Sequence, residues 1–99
     1  MAKQPESVFW IRIKPKLKSI PKSWWFKVQL VGMFGIPDVI GLVNGRFVAL
    51  ELKVRKKGHG GDGELLQNHN LKLIRKAGGI GLRVYPENWE EVYSLLSGL

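Results

Sequence analysis

The chain of 99 residues holds sixteen Lys or Arg against eight Asp or Glu, a formal net charge of +8, and no cysteine. That length makes one domain, spanning 1–99, and the missing cysteine excludes disulfide frameworks, thiolate zinc sites and cysteine nucleophiles. No apolar run reaches the ~18 residues of a membrane span and no secretory stretch opens the chain, so the composition predicts an intracellular domain without membrane contact, whose charge suits a polyanion such as nucleic acid.

Pro5 and Glu6 suit a helix start, with proline in the first turn and an acid at the positive end of the dipole. Glu6, Trp10, Ile13 and Leu17 recur at helical spacing and predict a helix over 6–14, which Pro15 argues against extending. The excess charge concentrates here: residues 1–35 hold seven bases and one acid. Its densest part, Arg12, Lys14, Lys16, Lys18 and Lys22, has one sign and no acidic relief. It reads as a phosphate-facing surface, with an ordinary solvated face as the plain alternative.

Residues 23–31 are aromatic and β-branched and predict a strand. Trp24, Trp25 and Phe26 offer faces to unpaired bases, although neighbours on a strand alternate and some must turn inward. After a glycine-bounded loop at 32–35 come two apolar runs, 38–43 and 46–54, separated by Asn44-Gly45, the strongest short-range hairpin signal. A basic, glycine-rich loop follows over 55–63, where Arg55, Lys56 and Lys57 are further candidates for phosphate. It has no P-loop spacing. Residues 64–77 predict a helix with Leu66, Leu73, Ile74 and Ala77 on one face. Residues 80–85 predict a strand, and 87–96 a helix with Trp89, Val92, Tyr93 and Leu96 inward. The order α-β-β-β-α-β-α predicts an α/β fold, a mixed sheet flanked by helices. His59 and His69, the only histidines, make no zinc site without further ligands.

The hairpin turn sets a register in which paired residue numbers sum to 89, so Asp38 faces Glu51 in a close, non-hydrogen-bonded pair. Two like charges so placed are destabilising unless a cation joins them. Lys53 follows two residues after Glu51, on the same face. Two carboxylates suit a hard cation such as Mg²⁺ or Mn²⁺, which takes oxygen ligands and polarises a phosphoryl oxygen, and the ammonium orients water or offsets developing charge. The bland alternative is an edge hairpin whose polar face meets solvent, with Asp38 and Lys53 as an ordinary ion pair.

Gly35-Ile36-Pro37-Asp38, then twelve residues, then Glu51-Leu52-Lys53, resembles the PD-(D/E)XK nuclease motif. The details look like its VRR-NUC branch of small, virus-type stand-alone domains, with Glu6 at an acidic first-helix position and Gln67 at a glutamine of the following helix. The resemblance spans roughly residues 5–96. It implies a restriction-endonuclease-like fold and a metal-dependent DNA endonuclease, with Mg²⁺ or Mn²⁺ as cofactor and a homodimer acting on branched DNA such as four-way (Holliday) junctions or flaps. Carried over by residue, Asp38, Glu51, Lys53 and Gln67 are catalytic. Glu6, Asp38, Glu51 and the Leu52 carbonyl are the metal ligands, Glu6 directly or through water. From the basic segments, Lys14, Lys16, Lys18, Lys22, Arg55, Lys56 and Lys57 are expected to supply nonspecific contacts to the DNA phosphates. The implied location is the cytoplasm or nucleoid of a host cell, with a virus-encoded origin open. The alternative is a non-catalytic basic nucleic-acid-binding module with a coincidental or decayed site.

Overall fold

A computed structural model describes residues 5–29, 35–54 and 62–99. The elements follow the expected order: α1 (Pro5–Lys18), β1 (Ser23–Lys27), β2 (Val39–Val43), β3 (Arg46–Leu52), α2 (Asp62–Lys76), β4 (Ile80–Val84) and α3 (Trp89–Ser97). The fold is α/β, a four-stranded mixed sheet of order β1-β2-β3-β4 flanked by helices, with β1–β2 and β2–β3 antiparallel and β3–β4 parallel. Among the described residues no helix is long and apolar enough to cross a membrane.

The Asn44-Gly45 turn, with φ of 50° and 83°, delivers the expected register: Val43 pairs with Arg46 and Val39 with Leu50. Strand β3 is an interior strand between β2 and β4, and both of its faces are covered from Val48 to Leu52. The edge-hairpin alternative therefore falls. One face of the sheet, with Val39, Val43, Val48, Leu50, Leu52 and Val84, packs against Phe9, Ile13 and Leu17 of α1 and Trp89, Val92 and Leu96 of α3. Helix α2 lies over Ala49, Glu51 and Gly81 on the other face: Leu71 is buried, and a side chain on Gly81 would meet its backbone carbonyl.

Three expectations need correcting. Helix α1 does not end near residue 14 but runs through Pro15 to Lys18. An internal proline costs about 3 kcal/mol, but its ring faces solvent here, and the last turn and the two residues after it bury Leu17 completely and Ile20 almost so. The inward face of α2 is not the leucine stripe. Leu66 and Leu73 are exposed by 41% and 48%, Ala77 is exposed as well, and Leu71 with half-buried Gln67, Asn70 and Ile74 turns to the sheet. A face built of alanine, glycine and a carboxylate leaves room for polar groups and little call for leucine. Strand β1 stops at Lys27, and residues 30–34 of the predicted strand and loop lie outside the described residues, as do Arg55, Lys56, Lys57 and His59.

Trp25 lies across Gly41 of β2, so a Cβ there would stand 2.4 Å from the ring and 2.4 Å from the Trp24 carbonyl. Gly41→Val should therefore cost about 3 kcal/mol or more, because a backbone oxygen cannot give way as a flexible side chain can. Thermal melting should show Tm lower by at least roughly 10 °C.

Candidate functional site

The site forms where the hairpin strands meet the first turn of α1. Asp38 sits immediately before β2, and its carboxylate Oδ2 accepts a 2.8 Å hydrogen bond from the Leu52 backbone N–H. Its own carbonyl accepts from the Val28 N–H at 2.8 Å, so this end of the hairpin is tied to both neighbouring segments. The preceding Gly35 is clamped by α2: Asn70 Nδ2 donates to the Gly35 carbonyl at 2.7 Å, and Leu66 packs against its Cα. Asn70 and Leu66 thus hold the Gly-x-Pro-Asp segment in place. Nothing in the sequence pattern marked Asn70, because its partner lies 35 residues away.

Glu51 lies beside Asp38 and is 2% exposed, the one buried charged residue among those described. Its Oε2 lies 3.5 Å from Lys53 Nζ, while its Oε1 is buried with no hydrogen-bond partner. Lys53 therefore pairs with Glu51, not with Asp38 as the bland ion-pair alternative had it. Burial pushes the Glu51 carboxyl up to about 8, the neighbouring Asp38 charge adds to the rise, and Lys53 opposes it. The parallel ladder places Arg83 of β4 beside Glu51, a cation that spacing along the chain did not reveal.

A cleft of about 420 Å³ opens onto this corner, lined among others by Glu6, Trp10, Lys27, Asp38 and Leu52. Glu6 titrates above the ordinary carboxylate range, through partial burial and then the Asp38 charge, against the pull of Lys53 and Lys27. Gln67 presents a buried, unpartnered Oε1 from α2. Lys27 and Trp10 are additions to the expected set. Their signals were present, Lys27 alternating with Trp25 and Trp10 one helical turn from Glu6.

The donor chemistry suits a hard divalent cation: two adjacent carboxylates, one with an orphaned buried oxygen. Among the described residues no three His, Cys, Asp or Glu side chains gather closely enough to hold an ion together. Glu6 shares the cleft without closing on the pair, so a cation here would rest on Asp38 and Glu51, with water and backbone completing its shell, as Mg²⁺ sites ordinarily allow.

The expected DNA-contacting lysines divide. Lys14 and Lys18 line a second cleft beside the first. Lys16 turns away to stand 5.7 Å from the centre of the Tyr93 ring, and Arg12 lies over Phe9 at 5.4 Å. Lys22 is exposed in the turn before β1, in a left-handed conformation with φ of 56°. The stretch of single-signed charge expected to form one surface is wound around a helix. Comparison of the chain with protein-family models, with curated proteins and with solved structures found no match.

Proposed function

We propose that the protein is a metal-dependent DNA endonuclease of the PD-(D/E)XK type, resembling the VRR-NUC branch. The observation that carries this reading is the pairing of Asp38 with a buried Glu51 whose Oε1 lacks any partner, and with Lys53 Nζ 3.5 Å from its other oxygen. A chain that needed only to hold nucleic acid has no use for a buried carboxylate set beside a second, half-buried one, which costs stability and repels phosphate.

In this reading Asp38 and Glu51 would hold Mg²⁺ or Mn²⁺ together with the Leu52 carbonyl, and Glu6 would assist directly or through water. The bound cation would supply Lewis-acid polarisation of the scissile phosphoryl oxygen and charge neutralisation. The chain's own groups do the rest. The Leu52 N–H fixes the rotation of the Asp38 carboxylate. The Lys53 ammonium, held at Glu51, orients the attacking water and offsets charge developing on the phosphate. Gln67 supports the site from α2, and Lys14, Lys18, Lys22 and Lys27 supply cations for the backbone of the DNA.

Branched DNA as substrate and a homodimer as the acting unit follow from the resemblance. Four apolar residues on the sheet face beside α2, Trp24, Phe26, Leu42 and Phe47, are between 40% and 56% exposed, and a second copy resting there would shield them from water.

A panel of duplex, flap, splayed and four-way DNA, incubated with Mg²⁺, with Mn²⁺ and with chelator, tests the reading. Metal-dependent cutting of at least one branched substrate in preference to duplex is expected, alongside a light-scattering mass of two chains. Salt-sensitive binding with no cutting under any metal would favour the binding-module alternative.

A further inference from the structure

The cleft at Glu6 and Asp38 continues past the carboxylates. It shares Trp10, Lys27 and Gln29 with a second cleft of about 440 Å³, walled further on by Lys14, Lys18 and Trp25. One wall is a single stripe of α1. Glu6, Trp10, Lys14 and Lys18 stand four residues apart, so they succeed one another along one helix face over about 18 Å. The other wall is β1, the outer strand of the sheet, from which Trp25 and Lys27 turn towards the helix. Trp25 is a fixed part of that wall, its indole N–H donating to the Leu17 carbonyl at 2.9 Å. Among the described residues the lining of this second cleft holds three lysines and no acid.

We propose that this groove binds an unpaired DNA strand leading away from the bond to be cut; the position of that bond rests on the nuclease reading above. Lysines spaced along a channel match the phosphates of any strand, but they do not distinguish single from double. The indole ring of Trp10 between them does. In a duplex each base face is covered by its neighbours, whereas an unpaired strand exposes faces that stack on aromatic side chains. Half-buried Trp10 sits where the two clefts join, so a base seated against it would lie at the mouth of the carboxylate site. The groove then sorts substrates by whether a single-stranded arm adjoins the cut, which an intact duplex cannot offer.

Fluorescence anisotropy with a labelled oligo-dT and a labelled duplex of equal length, both in chelator so that nothing is cut, reads this directly. The wild type should bind oligo-dT more tightly than the duplex. The double substitution Lys14→Ala/Lys18→Ala, at two exposed positions, should flatten the slope of log affinity against log salt for oligo-dT by about 1.4, the value for two phosphate contacts on a single strand. Trp10→Leu, which keeps apolar bulk against the core, should weaken oligo-dT binding roughly 5- to 150-fold and duplex binding far less. Equal affinity of the wild type for the two probes overturns the proposal, as does an unchanged salt slope in the lysine double variant. Should Trp10→Leu fail to fold, the lysine variant still decides. Loss of these binding effects in a protein that nevertheless cuts the panel defeats the groove alone, and intact binding effects without any cutting defeat the nuclease reading alone.

Discussion

Asp38→Asn and Glu51→Gln should each lower Mg²⁺-dependent DNA cleavage by about a thousandfold or more if the proposed reading holds, since each removes a charge that would hold the cation stabilising the transition state. Both substitutions keep the shape of the site. Asparagine can still accept the Leu52 N–H through its amide oxygen, and glutamine fills the space of Glu51, so loss of cleavage will not report loss of fold. Lys53→Ala should act through the same step, with a similar fall in kcat and little change in binding. Single-turnover cleavage of whichever branched substrate the panel selects, at saturating protein, measures all three. Retention of wild-type rates in any of them, with circular dichroism unchanged, would falsify that residue's assignment.

The second large effect runs in the opposite direction. Glu51→Gln should make the metal-free protein more stable, most of all at alkaline pH. The carboxyl of Glu51 has its folded-state value raised to about 8 from the ordinary 4.5, because burial disfavours its charge and Asp38 adds repulsion. An acid raised in the folded state contributes stability that is complete below its unfolded value and is lost as pH climbs through the folded one. The wild type should therefore weaken between about pH 5 and pH 8, by an amount on the order of a few kcal/mol. Glutamine has no proton to lose and escapes that decline. Thermal melts of both proteins in chelator at pH 5.5 and pH 8.5 isolate the effect, because every other titrating group is common to both. Their Tm values should lie close together at pH 5.5 and separate by roughly 10 °C or more at pH 8.5, with the variant higher. A variant that is less stable at pH 8.5 would show that Glu51 makes favourable native contacts as an anion and is not strained.

These two results belong together. A side chain whose replacement raises stability and abolishes activity is one kept for chemistry at the expense of the fold. Added Mg²⁺ should narrow the gap at pH 8.5, since a cation bound only by the folded wild type stabilises it by mass action and takes the place of the proton on Glu51.

How much of this was legible in the residues themselves depended on how local the cause was. The Asn44-Gly45 turn imposes its register through two backbone conformations, so the pairing across β2 and β3 could be counted out from the turn. The position of Lys53 two residues beyond Glu51 needed only the alternation of a strand. The end of α1 was misjudged because Pro15 is a local signal, while the burial of Leu17 and Ile20 that overrides it comes from the sheet. The face of α2 was misjudged for a related reason. Leucine periodicity assumes an apolar surface to meet, and the surface it met was Ala49, Glu51 and Gly81. The basic stretch suggests one phosphate-facing surface because its charges share one sign, and helical winding sends Lys14 and Lys18 one way and Lys16 another.

The sequence by itself determined the order of elements, the hairpin register and the meeting of Asp38 with Glu51, all of which follow from turn chemistry and from the period of a strand. Only the tertiary structure decided that β3 is an interior strand, that Glu51 is therefore dry and reluctant to ionise, and that α1 and β1 enclose a groove running on from the cleft at Asp38. Burial depends on what crosses over to cover a strand. Here β4 returns parallel to β3 after α2 has passed over the sheet, and no run of neighbouring residues records that covering.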